Sequence, residues 1–84
     1  MHFVCILQSQ KDLSYYVGET SDVLARLKFH NNGFQRYTKA RKPWLLAYTE
    51  EVKDRHEALK REKEIKNKKS RQYIKQLIDN QLAG

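Results

Sequence analysis

Four polar side chains in this chain have the types and the spacing needed for chemistry at a phosphate group. Arg26 and His30 lie four residues apart in a stretch of helical periodicity, which puts their Cβ atoms about 5–6 Å apart. Arginine is permanently cationic and forked, so it can hold phosphate oxygens, whereas histidine can accept a proton or orient a nucleophile. Tyr16 can position an attacking water. Glu62 can carry one Mg²⁺ or Mn²⁺ ion, with waters completing the coordination shell.

A strand followed by a helix must position the first three of these residues. Tyr15–Val17 is aromatic and β-branched, as is typical of a half-buried strand. Thr20 or Ser21 is the expected N-cap of the helix, and Asn31–Gly33 ends it. The expected apolar stripe consists of Val23, Leu24 and Leu27, with Arg26 and His30 along one edge. An ordinary amphipathic helix with an arginine that extends to solvent would show the same pattern.

Glu62 belongs to a second predicted helix, which starts at a capping box formed by Asp54 and Glu57. At about 100° per residue, Glu62 falls in the middle of the apolar arc of that helix, which comprises Ala58, Leu59 and Ile65. A carboxylate held toward a core needs a cation, because burying it unpaired is too costly. A divalent metal would serve, and so would a structural ion pair with Arg26. We expect Arg26 and Glu62 to face one cleft with Tyr16 and His30.

The remaining elements complete one α+β domain over residues 1–84. Phe3–Leu7 is a continuous apolar run that suits a central strand, and Trp44–Thr49 suits a third strand after a proline. Ser70 can cap a last helix, whose core stripe comprises Tyr73, Ile74, Leu77, Ile78 and Leu82. The predicted fold is therefore a three-stranded, mainly antiparallel sheet flanked by three helices.

The charge distribution points to a polyanionic partner. The chain has 17 Lys and Arg against 10 Asp and Glu, a formal net charge of +7, and Lys11 is the only Lys or Arg before Arg26. We expect nucleic acid as the partner rather than an anionic membrane, although a solvated lysine-rich surface has the same composition. The candidate phosphate-contacting residues lie in the loop after the first helix and between the last two helices: Arg36, Tyr37, Lys39, Arg41, Lys42, Lys66, Lys68, Lys69 and Arg71. In the loop, Thr38 can add a hydrogen bond, whereas Tyr37 can either stack on a base or tuck onto the sheet.

The single cysteine, Cys5, excludes an internal disulfide and a cysteine-cluster zinc site. The apolar run at the amino terminus is too short for a signal peptide or a membrane span. These features predict a cytoplasmic protein that needs no small-molecule cofactor and no membrane.

The order of several short blocks resembles a known family. Tyr16–Gly18, Arg26-Leu27 and His30-Asn31 resemble the second half of the GIY-YIG nuclease signature, and the resemblance continues through Pro43-Trp44 and Glu57–Lys66. It is closest to small members related to the incising subunit of bacterial nucleotide-excision repair. It implies a divalent-metal-dependent endonuclease acting on DNA, with DNA repair as the setting. It also implies that Arg26 and Glu62 are the phosphate and metal residues, with tyrosine and His30 around the nucleophile.

The first block of that signature departs from the family pattern, because Cys5 stands where the family has a tyrosine. A thiol has a reference pKa of about 8.5 against about 10 for a phenol, but its side chain is much shorter. Three alternatives follow: Tyr16 and His30 activate the nucleophile without the phenol, turnover is weak, or the domain binds nucleic acid without cutting it. A nucleophilic Cys5 is disfavoured, since thiols buried in apolar strands are inert.

Overall fold

The computed structural model describes all 84 residues and confirms the α+β prediction. Its elements are β1 (His2–Ser9), β2 (Tyr15–Thr20), α1 (Val23–Asn31), α2 (Arg36–Lys39), β3 (Trp44–Val52), α3 (Arg55–Asn67) and α4 (Arg71–Ala83). The three strands form one antiparallel sheet in the order β2-β1-β3, so the apolar strand is central as expected. None of the helices is long and apolar enough to cross a membrane.

The two faces of the sheet are covered by different helices. Val4 and Ile6 of β1 point to one face, where they pack with Val17 of β2 and with Ala58 and Ile65 of α3. Side chains of α4, among them Tyr73, Ile74 and Leu77, close the rim of this core. Because side chains alternate along a strand, Cys5 and Leu7 point to the opposite face. That face carries α1, and it also carries Tyr16, the cross-strand partner of Leu7.

The helix caps agree with the sequence at two of the three predicted starts. The side chains of Asp54 and Ser70 accept the backbone N–H groups of Glu57 and Tyr73, as predicted. Thr20 and Ser21 do not cap α1: the N-cap is Asp22, whose carboxylate accepts the backbone N–H of Ala25 at 3.0 Å. A carboxylate at the N-cap satisfies an orphan N–H and also complements the helix dipole, so it outcompetes the neighbouring hydroxyls.

Three side chains assigned to apolar faces lie largely in solvent. Leu24 is 74% exposed, Leu59 is 44% exposed and Leu82, near the chain end, is 81% exposed. In α1 the fully buried position is His30 instead of Leu24, so a polar residue of this helix occupies the interior. Position on a helical wheel gives the angle of a side chain but not the direction in which the helix docks.

The structure also adds a fourth helix, the single turn α2, inside the predicted loop. It lacks a side-chain cap and is closed by the backbone hydrogen bond from Lys39 N–H to the Gln35 carbonyl, at 2.8 Å. One turn has no room for apolar periodicity, so the sequence carried no signal for it.

The outer edge of β3 is contacted by the end of α4. The side-chain amide of Gln81 donates to the Thr49 carbonyl at 2.6 Å and accepts the Thr49 backbone N–H at 3.3 Å. Both backbone groups of an edge-strand residue are thereby satisfied by one side chain.

Candidate active site

Tyr16, Arg26 and His30 come together on the α1 face of the sheet. Arg26 Nη2 lies 3.4 Å from the Tyr16 hydroxyl, the long end of a hydrogen bond in which the guanidinium donates. The rings of Tyr16 and His30 have their centroids 4.6 Å apart. Tyr16 can lie in this position because Gly18 has no side chain: a Cβ there would be 3.1 Å from Tyr16 Cε2. The glycine of the second signature block therefore makes room for the tyrosine of the same block.

His30 is fully buried and held by residues that sequence reasoning did not assign to the site. Its Nδ1 lies 2.8 Å from the hydroxyl oxygen of Thr38, which is also fully buried. The Thr38 carbonyl accepts the indole N–H of Trp44 at 2.8 Å. Thr38 is therefore committed to the protein interior, and the expectation that it contacts a phosphate is wrong.

Asn31, which follows His30, clamps the end of α1 to the start of β3. Its side-chain oxygen accepts the Trp44 backbone N–H at 2.6 Å, and its amide donates to the Trp44 carbonyl at 3.0 Å. These bonds fix the depth at which His30 enters the site. The His30-Asn31 and Pro43-Trp44 blocks were visible in the sequence, but their pairing with each other was not.

Arg26 keeps part of its hydrogen-bonding capacity free. Its guanidinium carbon lies 5.5 Å from the centre of the Phe29 ring, a cation–π distance. Its Nε is buried and has no partner in the protein, as is also true of His30 Nε2. Buried polar groups normally have partners. Two buried atoms of the Tyr16, Arg26 and His30 cluster, one donor and one ring nitrogen, thus lack a partner in the protein.

Glu62 lies in a depression on the surface of α3, and Arg26 is not its partner. Its carboxylate is 17% exposed and accepts a hydrogen bond from Lys66 Nζ at 2.6 Å, one helical turn further along α3. The structural ion pair between Arg26 and Glu62 that the sequence allowed is absent, because an i, i+4 lysine satisfies the carboxylate locally. Nowhere in the structure do three His, Cys, Asp or Glu side chains converge, so Glu62 offers a metal a single carboxylate.

Cys5 is fully buried in the central strand β1. Burial is the main reason that the pKa of its thiol rises to about 11; the nearby Arg26 charge lowers it and the Glu62 charge raises it. Arg26 and Glu62 are thus both within electrostatic range of position 5. A protonated, buried thiol is inert, in agreement with the expectation that Cys5 is not a nucleophile.

A cleft of about 480 Å³ opens along the free edge of β2 and includes Tyr16. It runs from Tyr37, on one side, to the turn between α3 and α4 on the other. Lys66 lines both this cleft and the depression that holds Glu62. The cleft is lined by Tyr15, Tyr16, Val17, Tyr37, Ile65, Lys66, Lys69, Ser70, Arg71 and Ile74.

The predicted phosphate-contacting residues fall into two groups. Several already have partners: Arg41 pairs with Asp12 and lies 4.3 Å over the Tyr37 ring, while Lys68 lies over Tyr73. Arg71 stacks on Tyr15 and donates to a backbone carbonyl. The side chains of Arg36, Lys39, Lys42 and Lys69 are exposed and form no ion pair. Tyr37 is 48% exposed and its ring centroid is 6.4 Å from that of Tyr16, so it is not tucked away.

The environment of His30 predicts how folding stability depends on pH. Burial, helped by the Arg26 charge, lowers the pKa of His30 from 6.5 to about 4. Between these values the unfolded chain binds more protons than the folded one, so stability falls as the pH is lowered. We expect His30 to account for about 3 kcal/mol of the free energy of unfolding lost between pH 7 and pH 4. Urea unfolding of His30→Gln should show a correspondingly smaller loss.

His56 provides the matched control for that measurement, because it is an exposed histidine on α3. His56→Gln should keep the pH dependence of the unmodified protein. An unchanged pH dependence in His30→Gln would show that the buried imidazole is not neutral in the folded state.

Comparisons with known proteins show which family this chain belongs to. Residues 1–75 match the family model of the GIY-YIG catalytic domain. The chain is 46% identical over 77 residues to a UPF0213 protein of Staphylococcus epidermidis, covering 90% of this chain and 93% of that protein. It is 48% identical over 66 residues to a UPF0213 protein of Staphylococcus aureus, covering 77% and 79% of the two chains. The solution NMR structure of a UPF0213 protein from Bacillus halodurans superposes with a TM-score of 0.58 at 38% identity, covering 93% of this chain and 82% of that one. The chain therefore belongs to the GIY-YIG nuclease family, among its small UPF0213 members.

Proposed function

We propose that this protein is a divalent-metal-dependent endonuclease that hydrolyses phosphodiester bonds of DNA in the cytoplasm. The observation that carries the proposal is the juxtaposition of the Tyr16 hydroxyl, the Arg26 guanidinium and the buried His30 imidazole, with Tyr16 also lining a cleft that Lys69 and Arg71 flank. Phosphodiester hydrolysis needs a positioned water and neutralisation of the charge that develops on the phosphate. These side chains can meet both needs.

Each of the three residues has a role that its surroundings support. Arg26 makes one long hydrogen bond to Tyr16 and forms no ion pair, so its guanidinium can donate to the non-bridging oxygens of a phosphate. The Tyr16 hydroxyl lies close enough to orient a water toward that phosphate. Burial keeps the pKa of His30 low, so it acts at neutral pH as a neutral hydrogen-bond acceptor.

Glu62 is the residue that would hold the metal. A single carboxylate with room for waters is a donor set that suits Mg²⁺ or Mn²⁺, which keep most of their hydration shell when bound to proteins. The partner of Glu62, Lys66, is 51% exposed, and ion pairs of that exposure contribute only about 0–1 kcal/mol. A divalent cation can therefore replace the lysine as the counter-ion. When bound, the ion would supply stabilisation of the departing 3′ oxygen.

Nucleic-acid binding would use the two banks of the cleft. Arg36 and Lys39 belong to α2, whose Tyr37 lines the cleft, and Lys42 follows that helix; Lys69 and Arg71 line the cleft at the α3–α4 turn. Tyr37, half-exposed next to Tyr16, offers an aromatic surface for a base. No helix or strand presents an array of side chains suited to reading base edges, so binding should be largely independent of sequence.

The test is a cleavage assay on single-stranded, duplex and branched DNA with Mg²⁺ or Mn²⁺, with EDTA as the chelated control. Cys5→Tyr is assayed beside the unmodified protein. Cleavage by the unmodified protein that EDTA abolishes supports the proposal and shows that Tyr16 and His30 suffice. Cleavage only by Cys5→Tyr identifies a nuclease weakened at position 5.

A second candidate function, nucleic-acid binding without cleavage, rests on the buried, protonated thiol of Cys5 in place of a phenol. No cleavage by either protein, with DNA binding retained, would select it and reject the nuclease. The space over Gly18, opposite Cys5, is filled by the Tyr16 ring, so the added phenol is expected to cost about 1–3 kcal/mol by overpacking. Thermal unfolding of Cys5→Tyr therefore accompanies the assay.

A further inference from the structure

Thr38 is the only group of the protein that makes a hydrogen bond to the His30 ring. The two side chains are fully buried, and Nδ1 of His30 lies 2.8 Å from Oγ1 of Thr38. The same hydroxyl lies 3.3 Å from the backbone carbonyl of Gln35, which can only accept. A threonine hydroxyl has one proton to donate and lone pairs to accept with. These contacts together restrict where the imidazole proton can be.

If the Thr38 hydroxyl donates to the Gln35 carbonyl, it must accept from His30, and the imidazole proton is on Nδ1. The opposite arrangement would put the proton on Nε2, which is buried and has no acceptor within hydrogen-bonding distance. A buried N–H donor without a partner is rarer and more costly in proteins than an unused lone pair. The positive charge of Arg26, which acts on this ring, also favours a lone pair over an N–H on the free nitrogen.

We propose that Thr38 is a positioning residue that fixes His30 in the Nδ1–H tautomer, so that Nε2 presents a bare lone pair to the site. The use of that lone pair rests on the proposed function: Nε2 has no partner in the free protein, and it would accept a hydrogen bond from the Tyr16 hydroxyl when substrate binding brings that hydroxyl within reach. The other tautomer would present an N–H there, which cannot accept a proton. The backbone of Thr38 is itself held by the Trp44 indole, so the hydroxyl is fixed in place.

Long-range ¹H–¹⁵N correlation spectra of the histidine rings test the tautomer directly and require no activity. We expect the unmodified protein to show His30 protonated at Nδ1 and bare at Nε2. Thr38→Val keeps the side-chain shape but removes the hydroxyl, and should give a mixture of tautomers. Thr38→Ser should restore the Nδ1–H form. Thr49→Val is the matched control, because the Thr49 hydroxyl makes no hydrogen bond to the site, and it should leave the spectrum unchanged.

Cleavage kinetics test whether the His30 tautomer matters for the reaction. Thr38→Val should lower kcat about tenfold with KM little changed, and Thr38→Ser should recover most of the loss. A spectrum of the unmodified protein with the proton on Nε2, or an unaltered tautomer in Thr38→Val, would overturn the proposal, and the first of these does not depend on the variant folding. Spectra that change as expected in a protein that never cleaves DNA would leave the tautomer assignment standing and reject the nuclease function instead.

Discussion

Replacing Glu62 by glutamine should lower metal-dependent DNA cleavage by about 10²–10³-fold, the usual cost of removing one group that stabilises charge in the transition state. The expected cause is loss of the only carboxylate that lines the depression on α3, since glutamine keeps the size and the hydrogen-bonding oxygen but not the charge. The fold should be retained, because Glu62 contacts only the partly exposed Lys66. Initial cleavage rates across a Mn²⁺ titration measure the effect, with circular dichroism to check the fold.

Glu57→Gln is the matched control for this experiment. Glu57 lies on the same helix, has an exposed side chain and donates its backbone N–H to the Asp54 cap. Its replacement should leave the cleavage rate within a factor of two or so, as is usual for exposed positions away from a site. Equal losses in both variants, or none in Glu62→Gln, would remove the metal assignment from Glu62.

DNA affinity should fall about 10³-fold between about 50 and 200 mM salt. This estimate assumes that about six phosphates are contacted and that each contact releases condensed counter-ions. The exposed, unpaired cations on the two banks of the cleft supply the contacts, and the formal net charge of +7 adds a favourable long-range field. Fluorescence anisotropy with a labelled oligonucleotide, repeated across a salt series, gives the slope.

Two further variants locate that salt effect on the surface. The double variant Lys39→Gln, Lys42→Gln should reduce the slope by about two, because two phosphate contacts on the α2 bank are lost. Lys75→Gln removes a lysine from the outer side of α4, in a depression that Asp79 also lines, and should leave the slope unchanged. Affinity that hardly responds to salt would mean that the lysine-rich surface is only solvated and that the basic residues do not bind DNA.

The parts of this fold that could be predicted are those set by local patterns. The central apolar strand, the two caps at Asp54 and Ser70 and the strand–helix unit around Tyr16 each follow from a few neighbouring residues. The direction in which a short helix docks is set by contacts distant in sequence. That is why Leu24 lies in solvent and His30 in the interior, although both suit an amphipathic helix.

The residues of the candidate site could be predicted from the sequence, but the hydrogen bonds that join them could not. The structure brings Tyr16, Arg26 and His30 together, as the motif spacing suggested. It joins His30 to Thr38 across a loop, and Trp44 to both Asn31 and Thr38, through hydrogen bonds that no periodicity encodes. Glu62 was expected to pair with a metal or with Arg26. Its lysine partner was missed because the i, i+4 spacing to Lys66 is so common on helices that it carries little information.

The contact between Gln81 and Thr49 has a consequence for how copies of this protein behave toward one another. A primary amide offers the same donor and acceptor as a peptide group, so Gln81 imitates one residue of an additional strand at the border of the sheet. An incoming extended chain would have to displace the Gln81 side chain before it could form hydrogen bonds with Thr49 of β3. The last turns of α4 thereby block strand addition at this point of the β3 edge, even though the apolar residue beside them, Leu82, points to water.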